Sequence, residues 1–254
     1  MKKFFTIASL AALMLSACSK DEVRSEQQGK GQVTISCVTS DVVDETRANV
    51  SCTTPAAEDF ALTIDGVSGE YNAQYASIAE FHEDNYLRYG SYKATVVAGD
   101  LANEGYDKPT FVGSKKFDVA ARKAIEVEVT ASIANALVMV ETTEAFNNYF
   151  VGGRTLKLTT AAGNEFDVTA QSEPLFIAPT TFTISGTAIK QSAQSGAEGS
   201  VVALEYESEE VNAKTLYTVK LDVKDAGRAT LEITLNDELV ESIDIEQELN
   251  DNAQ

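Results

Sequence analysis

Apolar and polar residues alternate with a period of two along most of this chain. Val33, Ile35 and Cys37 alternate with Thr34 and Ser36, and Phe60, Leu62 and Ile64 with Ala61 and Thr63. Tyr92, Ala94 and Val96 alternate with Lys93 and Thr95, and Ile125, Val127 and Val129 with Glu126, Glu128 and Thr130. The pattern returns at Tyr217, Val219, Leu221 and Val223, and again at Leu231, Ile233 and Leu235. Successive strand side chains point to opposite faces. Each stretch therefore predicts a strand with one face buried and the other wet, as in antiparallel sandwiches. Turn residues separate the stretches: Asp65-Gly66, Gly90, Ala98-Gly99-Asp100, Gly152-Gly153, Ala162-Gly163-Asn164 and Ala226-Gly227. Short helices fit only at 77–88 and 143–150, and no stretch sustains a helical period.

The strands fall into two groups, 32–130 and 131–246, each near the ~100 residues of an immunoglobulin-type sandwich. No Gly/Pro/Ser-rich linker lies between Ile125 and Val140, so the two groups should touch. The expected fold is all-β: two tandem immunoglobulin-like or transthyretin-like antiparallel β-sandwiches, closed by an acidic tail at 247–254.

The first residues break the pattern. Lys2 and Lys3 precede Phe4 to Leu15, a run in which only Thr6 and Ser9 are polar, and Leu15-Ser16-Ala17-Cys18 follows. The run suits a signal peptide and is shorter than the ~20 residues that span a bilayer. Small residues before a cysteine resemble the lipobox of bacterial lipoproteins. That resemblance implies cleavage of residues 1–17 and a covalent lipid on Cys18, the one cofactor-like group expected. Loss of the seventeen residues, Lys2 and Lys3 among them, leaves 237 residues and takes the net charge from −19 to −21. Ser19-Lys20-Asp21-Glu22 resembles the signal that sends lipoproteins of Bacteroidota to the outer face of the outer membrane. Residues 18–31 read as a lipidated, flexible tether.

Further along come Leu87-Arg88-Tyr89-Gly90-Ser91-Tyr92 before a strand, and Pro109-Thr110-Phe111-Val112-Gly113 before another. Next are Ile125 to Val129 and Ala134-Asn135-Ala136-Leu137-Val138, and in the second half Tyr217 to Val223. In this order, over about residues 30–250, the chain resembles a family of two-domain surface lipoproteins of Bacteroidota. That family is a domain of unknown function, loosely grouped with fimbrillin-like cell-adhesion proteins. The resemblance implies no catalytic residues. Pro109 should fix the backbone of an edge turn, Phe111 plug the core and Gly113 start the next strand sharply.

Charge and composition remove function classes. Against 20 Lys+Arg stand 39 Asp+Glu, so nucleic-acid binding, which needs basic clusters, is not expected. The single histidine, His82, reads as a solvated surface residue, and its loss should not disturb folding. With no second imidazole and no nucleophile motif, an enzyme is not expected. Acidic stretches at Asp41, Asp44 and Glu45, and at Glu205–Glu210, lack the spacing of a calcium loop, and no metal is expected. Six of the nine tyrosines lie within 71–106. Tyr92 belongs to the core by its alternation, whereas Tyr86 and Tyr89 form a candidate binding patch. Cys37 and Cys52 can bridge if their segments form a hairpin in the oxidising envelope. Arg47 is a candidate processing site, because in fimbrillin-like pilins a protease cuts after a basic residue near this place so that a partner's strand replaces the first one. Leu231 to Ile245 reads as the last strands of the second sandwich, with a donor strand as the alternative.

The expected function is therefore non-enzymatic: an outer-membrane, cell-surface lipoprotein acting in adhesion or as an envelope scaffold. The expected partners are the membrane, through the lipid, and an unidentified protein or glycan. A pilus subunit or anchor binding its neighbours by strand exchange is the alternative, and a carbohydrate- or nutrient-capture module a further one. Cys18→Ala should move the protein to the soluble fraction in a carbonate wash, since no other apolar run reaches 18 residues. Retention in the membrane pellet would contradict the lipid anchor.

Overall fold

The computed structural model describes residues 29–40, 52–151, 153–190, 199–225, 228–235 and 238–245, with the backbone alone from 224 onward. The signal segment, Cys18, Lys20 to Glu22, Arg47 and the acidic tail lie outside the described residues.

The all-β expectation holds. In the first half run β1 (Lys30–Ser40), β2 (Ala61–Gly66), β3 (Asn72–Tyr75), β4 (Tyr86–Arg88) and β5 (Gly90–Ala98). They are followed by β6 (Gly105–Tyr106), β7 (Phe111–Val119) and β8 (Ala124–Ile133). β1 starts two residues earlier than the tether boundary placed it. One seven-stranded sheet takes all of these except β6, in the order β3-β2-β5-β7-β8-β1-β4. β7 and β8 pair only over Phe111–Gly113, and there the sheet folds over on itself. Leu62, Ile64, Ala94 and Val96 on one wall then face Val33, Ile35, Val127 and Val129 on the other, all buried in one cluster. Gly113 sits inside β7 and not at a turn. A Cβ there would lie 2.3 Å from the Thr130 carbonyl oxygen, so the close crossing of β7 and β8 requires glycine.

The second half holds β9 (Ala136–Thr142), β10 (Arg154–Thr160), β11 (Glu165–Asp167), β12 (Leu175–Ile177), β13 (Phe182–Ile189) and β14 (Val201–Glu207). It ends with β15 (Leu216–Asp225), β16 (Arg228–Leu235) and β17 (Glu238–Ile245). A four-stranded sheet, β11-β10-β13-β14, faces a six-stranded one, β17-β16-β15-β9-β12-β6. Leu156, Leu158 and Ile184 meet Val138, Ile177 and Val219 in the second core. Two pairings depart from the antiparallel pattern: β1 with β8 and β9 with β15 are parallel. In each half the first strand lies beside a later one running the same way. The two short helices fall where expected, α1 (Ile78–Glu83) and α2 (Glu144–Tyr149). The hydroxyls of Ser77 and Thr143 accept the backbone N–H groups of Glu80 and Phe146, which caps both.

The halves interlock. Leu137, Phe176 and Leu216 stand opposite one another across β12, β9 and β15, yet they pack into the first core. In return, the loop after β5 carries β6 into the second sheet, where Gly105 and Tyr106 pair with Phe176 and Leu175. Beside it, the buried Glu104 carboxyl accepts hydrogen bonds from Thr160 Oγ1, Asn164 Nδ2 at 2.8 Å and the Ala178 N–H at 2.8 Å. At the crossing point the buried Asn135 Oδ1 accepts from the Thr110 N–H at 2.6 Å.

His82 is not the solvated residue that its surroundings in the sequence suggest. Its Nε2 accepts the N–H of Ile35 at 3.3 Å, on the side of β1 turned away from β8. Its Nδ1 lies 3.5 Å from the Glu58 carboxylate. With Nε2 accepting, the ring proton of the neutral form sits on Nδ1 and faces Glu58. The imidazole thus stands where a strand neighbour would, and satisfies a backbone donor of the residue whose side chain is 1% exposed.

Two substitutions test these contacts. Glu104→Ala strands three donors and should lower unfolding free energy by about 3 kcal/mol, with Gln restoring part of it. His82→Ala should cost about 1 kcal/mol, again partly restored by Gln. Urea unfolding at neutral pH measures both, and unchanged midpoints would contradict the assignments.

Candidate functional site

The tyrosine cluster gathers at one end of the first half. In β4, Leu87 points into the core, so its neighbours Tyr86 and Arg88 point outward. Gly90 follows at φ +154, a conformation that side chains disfavour. It turns the chain at once from β4 on one wall into β5 on the other. Tyr89, at this corner, is 70% exposed. Its N–H donates to the Gly29 carbonyl at 2.7 Å, which ties the corner to the start of β1. The turn between β2 and β3 closes the other side, with the Val67 N–H donating to the Ser91 carbonyl at 2.9 Å. An open groove of about 920 Å³ lies between corner and turn.

Tyr71 and Tyr92 form its fixed part. Their rings meet edge to face at 5.6 Å, and Tyr92 stacks on Phe117 at 5.7 Å. The Tyr92 hydroxyl donates to the Arg88 carbonyl at 3.0 Å, and those of Tyr71 and Tyr75 share a hydrogen bond at 3.4 Å. Burial pushes both phenols up, that of Tyr71 further through its bond to Tyr75, while the Arg88 charge partly opposes the shift at Tyr92. Both rings therefore remain neutral hydrogen-bond donors at physiological pH. The inward place expected for Tyr92 agrees with its 5% exposure.

Around this floor stand Tyr86, Tyr89, Lys30, Arg88 and Glu70. Lys30 and Arg88 are directly opposed across β1 and β4, and among the described residues no ion pair engages either. Like charges at directly opposed positions are unfavourable.

Tyr86 and Tyr89 are thus brought to one groove, together with Lys30, Arg88, Tyr71 and Glu70, which sequence reasoning had not connected to them. Cys37 and Cys52 both pack against the first core and are not joined in a disulfide. The described neighbours of β1 are β8 and β4, so the hairpin needed for a bridge is not among the described pairings, and Cys52 lies outside the strands. Burial pushes the Cys37 thiol up, opposed by a backbone hydrogen bond from Ala131. Glu205 and Glu207 are the outward residues of β14, alternating with buried Leu204 and Tyr206. This is ordinary strand alternation and not a chelating loop. β16 and β17 pair in sequence onto β15 as the closing strands of the six-stranded sheet. A second cleft, about 510 Å³, lies on the four-stranded sheet beside the ion pair of Lys157 with Glu165.

Several solved structures share the β-rich arrangement at low similarity. A protein provisionally described as polysaccharide binding, from Bacteroides thetaiotaomicron, is 9% identical, with 86% of this chain and all of that one covered at a TM-score of 0.41. A fimbrial assembly protein from Parabacteroides distasonis is 12% identical, covering 82% of this chain and 98% of that one at 0.40. A protein provisionally described as a cell adhesion protein, from Bacteroides eggerthii, is 9% identical, covering 77% and 86% at 0.37. At these scores none of them carries a function to this chain, and no curated protein sequence matches it. The family model described as domain of unknown function (DUF4493) matches residues 29–251, and the chain, matched over most of its length, belongs to that family.

Proposed function

We propose that the protein is a non-enzymatic cell-surface lipoprotein that acts in adhesion or as an envelope scaffold, held in the outer membrane by lipid on Cys18. In this reading its recognition surface is the groove at Tyr86 and Tyr89. The observation that carries the proposal is the groove itself, with its exposed aromatic corner over a floor fixed by ring contacts and hydrogen bonds. A preformed surface of this kind binds with little loss of side-chain entropy. The chain's one imidazole is committed to Ile35 and Glu58 and leaves the groove to binding. In this arrangement two sandwiches, meeting near Ala134-Asn135, hold the groove beside Gly29, just before β1.

A second reading is favoured by one feature. β1 is supplied wholly by residues before Arg47, and Val33, Ile35 and Cys37 fill the first core. Cleavage after Arg47 would let that strand leave, and a neighbouring subunit's strand could take its place beside β8. The mass of the envelope-bound protein separates the two readings. An N-terminus at Cys18 supports the standing lipoprotein, and one at Ala48 supports exchange.

Cells displaying the Tyr86→Ala/Tyr89→Ala double variant should carry unchanged amounts of surface protein. Their attachment to glycan- or protein-coated surfaces should fall about tenfold, the loss of roughly 1.4 kcal/mol of binding. Equal attachment by both strains would contradict the assignment of the groove.

A further inference from the structure

We infer that the groove takes an acidic saccharide, one that carries isolated carboxylates among many hydroxyls, with Lys30 and Arg88 receiving the carboxylate. The inference rests on the groove being the recognition site proposed above.

Three observations lead to it. First, Lys30 and Arg88 face each other across two antiparallel strands, in a chain with a net charge of −19. Directly opposed residues hold their Cβ atoms about 4.5–5.5 Å apart, within reach of one shared anion. With acids in nearly twofold excess, a pair of cations side by side and without a described ion-pair partner is an unusual concentration of positive charge. A carboxylate between them removes their repulsion and accepts charge-assisted hydrogen bonds from both. Second, Tyr89 presents an exposed ring and Tyr86 a half-buried one beside the cations. Such rings pack on the apolar faces of sugar rings, while the Tyr92 hydroxyl, whose proton goes to the Arg88 carbonyl, keeps a lone pair that can accept from a sugar hydroxyl. Third, about 920 Å³ is room for several sugar rings and far more than a simple anion fills. Glu70 stands in the same groove. It can accept hydrogen bonds from hydroxyls but repels a densely charged polyanion, which favours a ligand with sparse charge.

Calorimetric titration of the full mature chain with sialyllactose, which carries one carboxylate on three rings, with its methyl ester and with phosphatidylglycerol vesicles tests this. The acid should bind, more weakly as salt is raised, and the ester about tenfold less tightly, because it keeps the rings and loses the charge. Arg88→Gln and Lys30→Gln should each weaken the acid about five- to tenfold and leave the ester unchanged. Tyr89→Ala should weaken acid and ester alike. Equal affinity for acid and ester, with Tyr89→Ala weakening both, would overturn the inference while leaving the groove as the recognition site. Acid binding that Tyr86→Ala/Tyr89→Ala leaves intact would overturn both. Binding of the vesicles alone, of none of the three probes, or of the acid undiminished in both glutamine variants would also overturn the inference.

Discussion

Leu137, Phe176 and Leu216 form a row across three neighbouring strands and point away from the core that their own strands build. Their strand neighbours Val138, Ile177 and Tyr217 point the other way, into the second core. The start of this sheet is therefore buried on both faces. Leu137 and Phe176 are fully buried and contribute about 1.5–3 kcal/mol each, half-buried Leu216 less, and the row can be removed from water only if both halves are folded and docked. Polar contacts then fix the orientation that burial alone leaves free. Glu104 reaches from the first half to three donors in the second. Asn135 holds the chain where it crosses. Among the described residues its Nδ2 and the Thr110 hydroxyl are buried without partners, a local penalty that the surrounding burial offsets.

Docking at one end leaves the other end of the first half free to present a surface. There the chain changes walls abruptly at Gly90, and the residues on either side of the corner become the rim of the groove. Ring stacking and hydrogen bonds hold Tyr92 and Tyr71, Tyr92 is buried, Tyr71 and Tyr86 are exposed in part, and Tyr89 stands fully exposed. Rigidity below and exposure above is the arrangement by which a small number of aromatic residues can carry most of a binding energy.

Much of the framework is legible in the sequence because burial on one face writes a period of two. That is so for β1, β2, β5, β8 and β15, and the helix caps at Ser77 and Thr143 lie beside the expected helices. Where both faces are buried the period vanishes, as in Ala136-Leu137-Val138 and Leu175-Phe176-Ile177. The docking row was invisible for that reason. β6, with two residues, is too short for any periodicity. Gly113 has the composition of a turn but serves a close strand crossing, which only the neighbouring backbone reveals. The tyrosines of the groove stood out by their density, yet the opposition of Lys30 to Arg88 depends on a register between strands far apart in the chain. His82 likewise meets a backbone donor 47 residues away, a contact that carries no local signal.

The central claim is that the shared row makes two sandwiches into one cooperative body that carries a preformed groove. Scanning calorimetry of the mature chain tests it most directly. A single transition, with calorimetric and van't Hoff enthalpies agreeing to within about a tenth, is the expected result. Two resolved transitions, one for each core, would show that the halves fold independently and contradict the account.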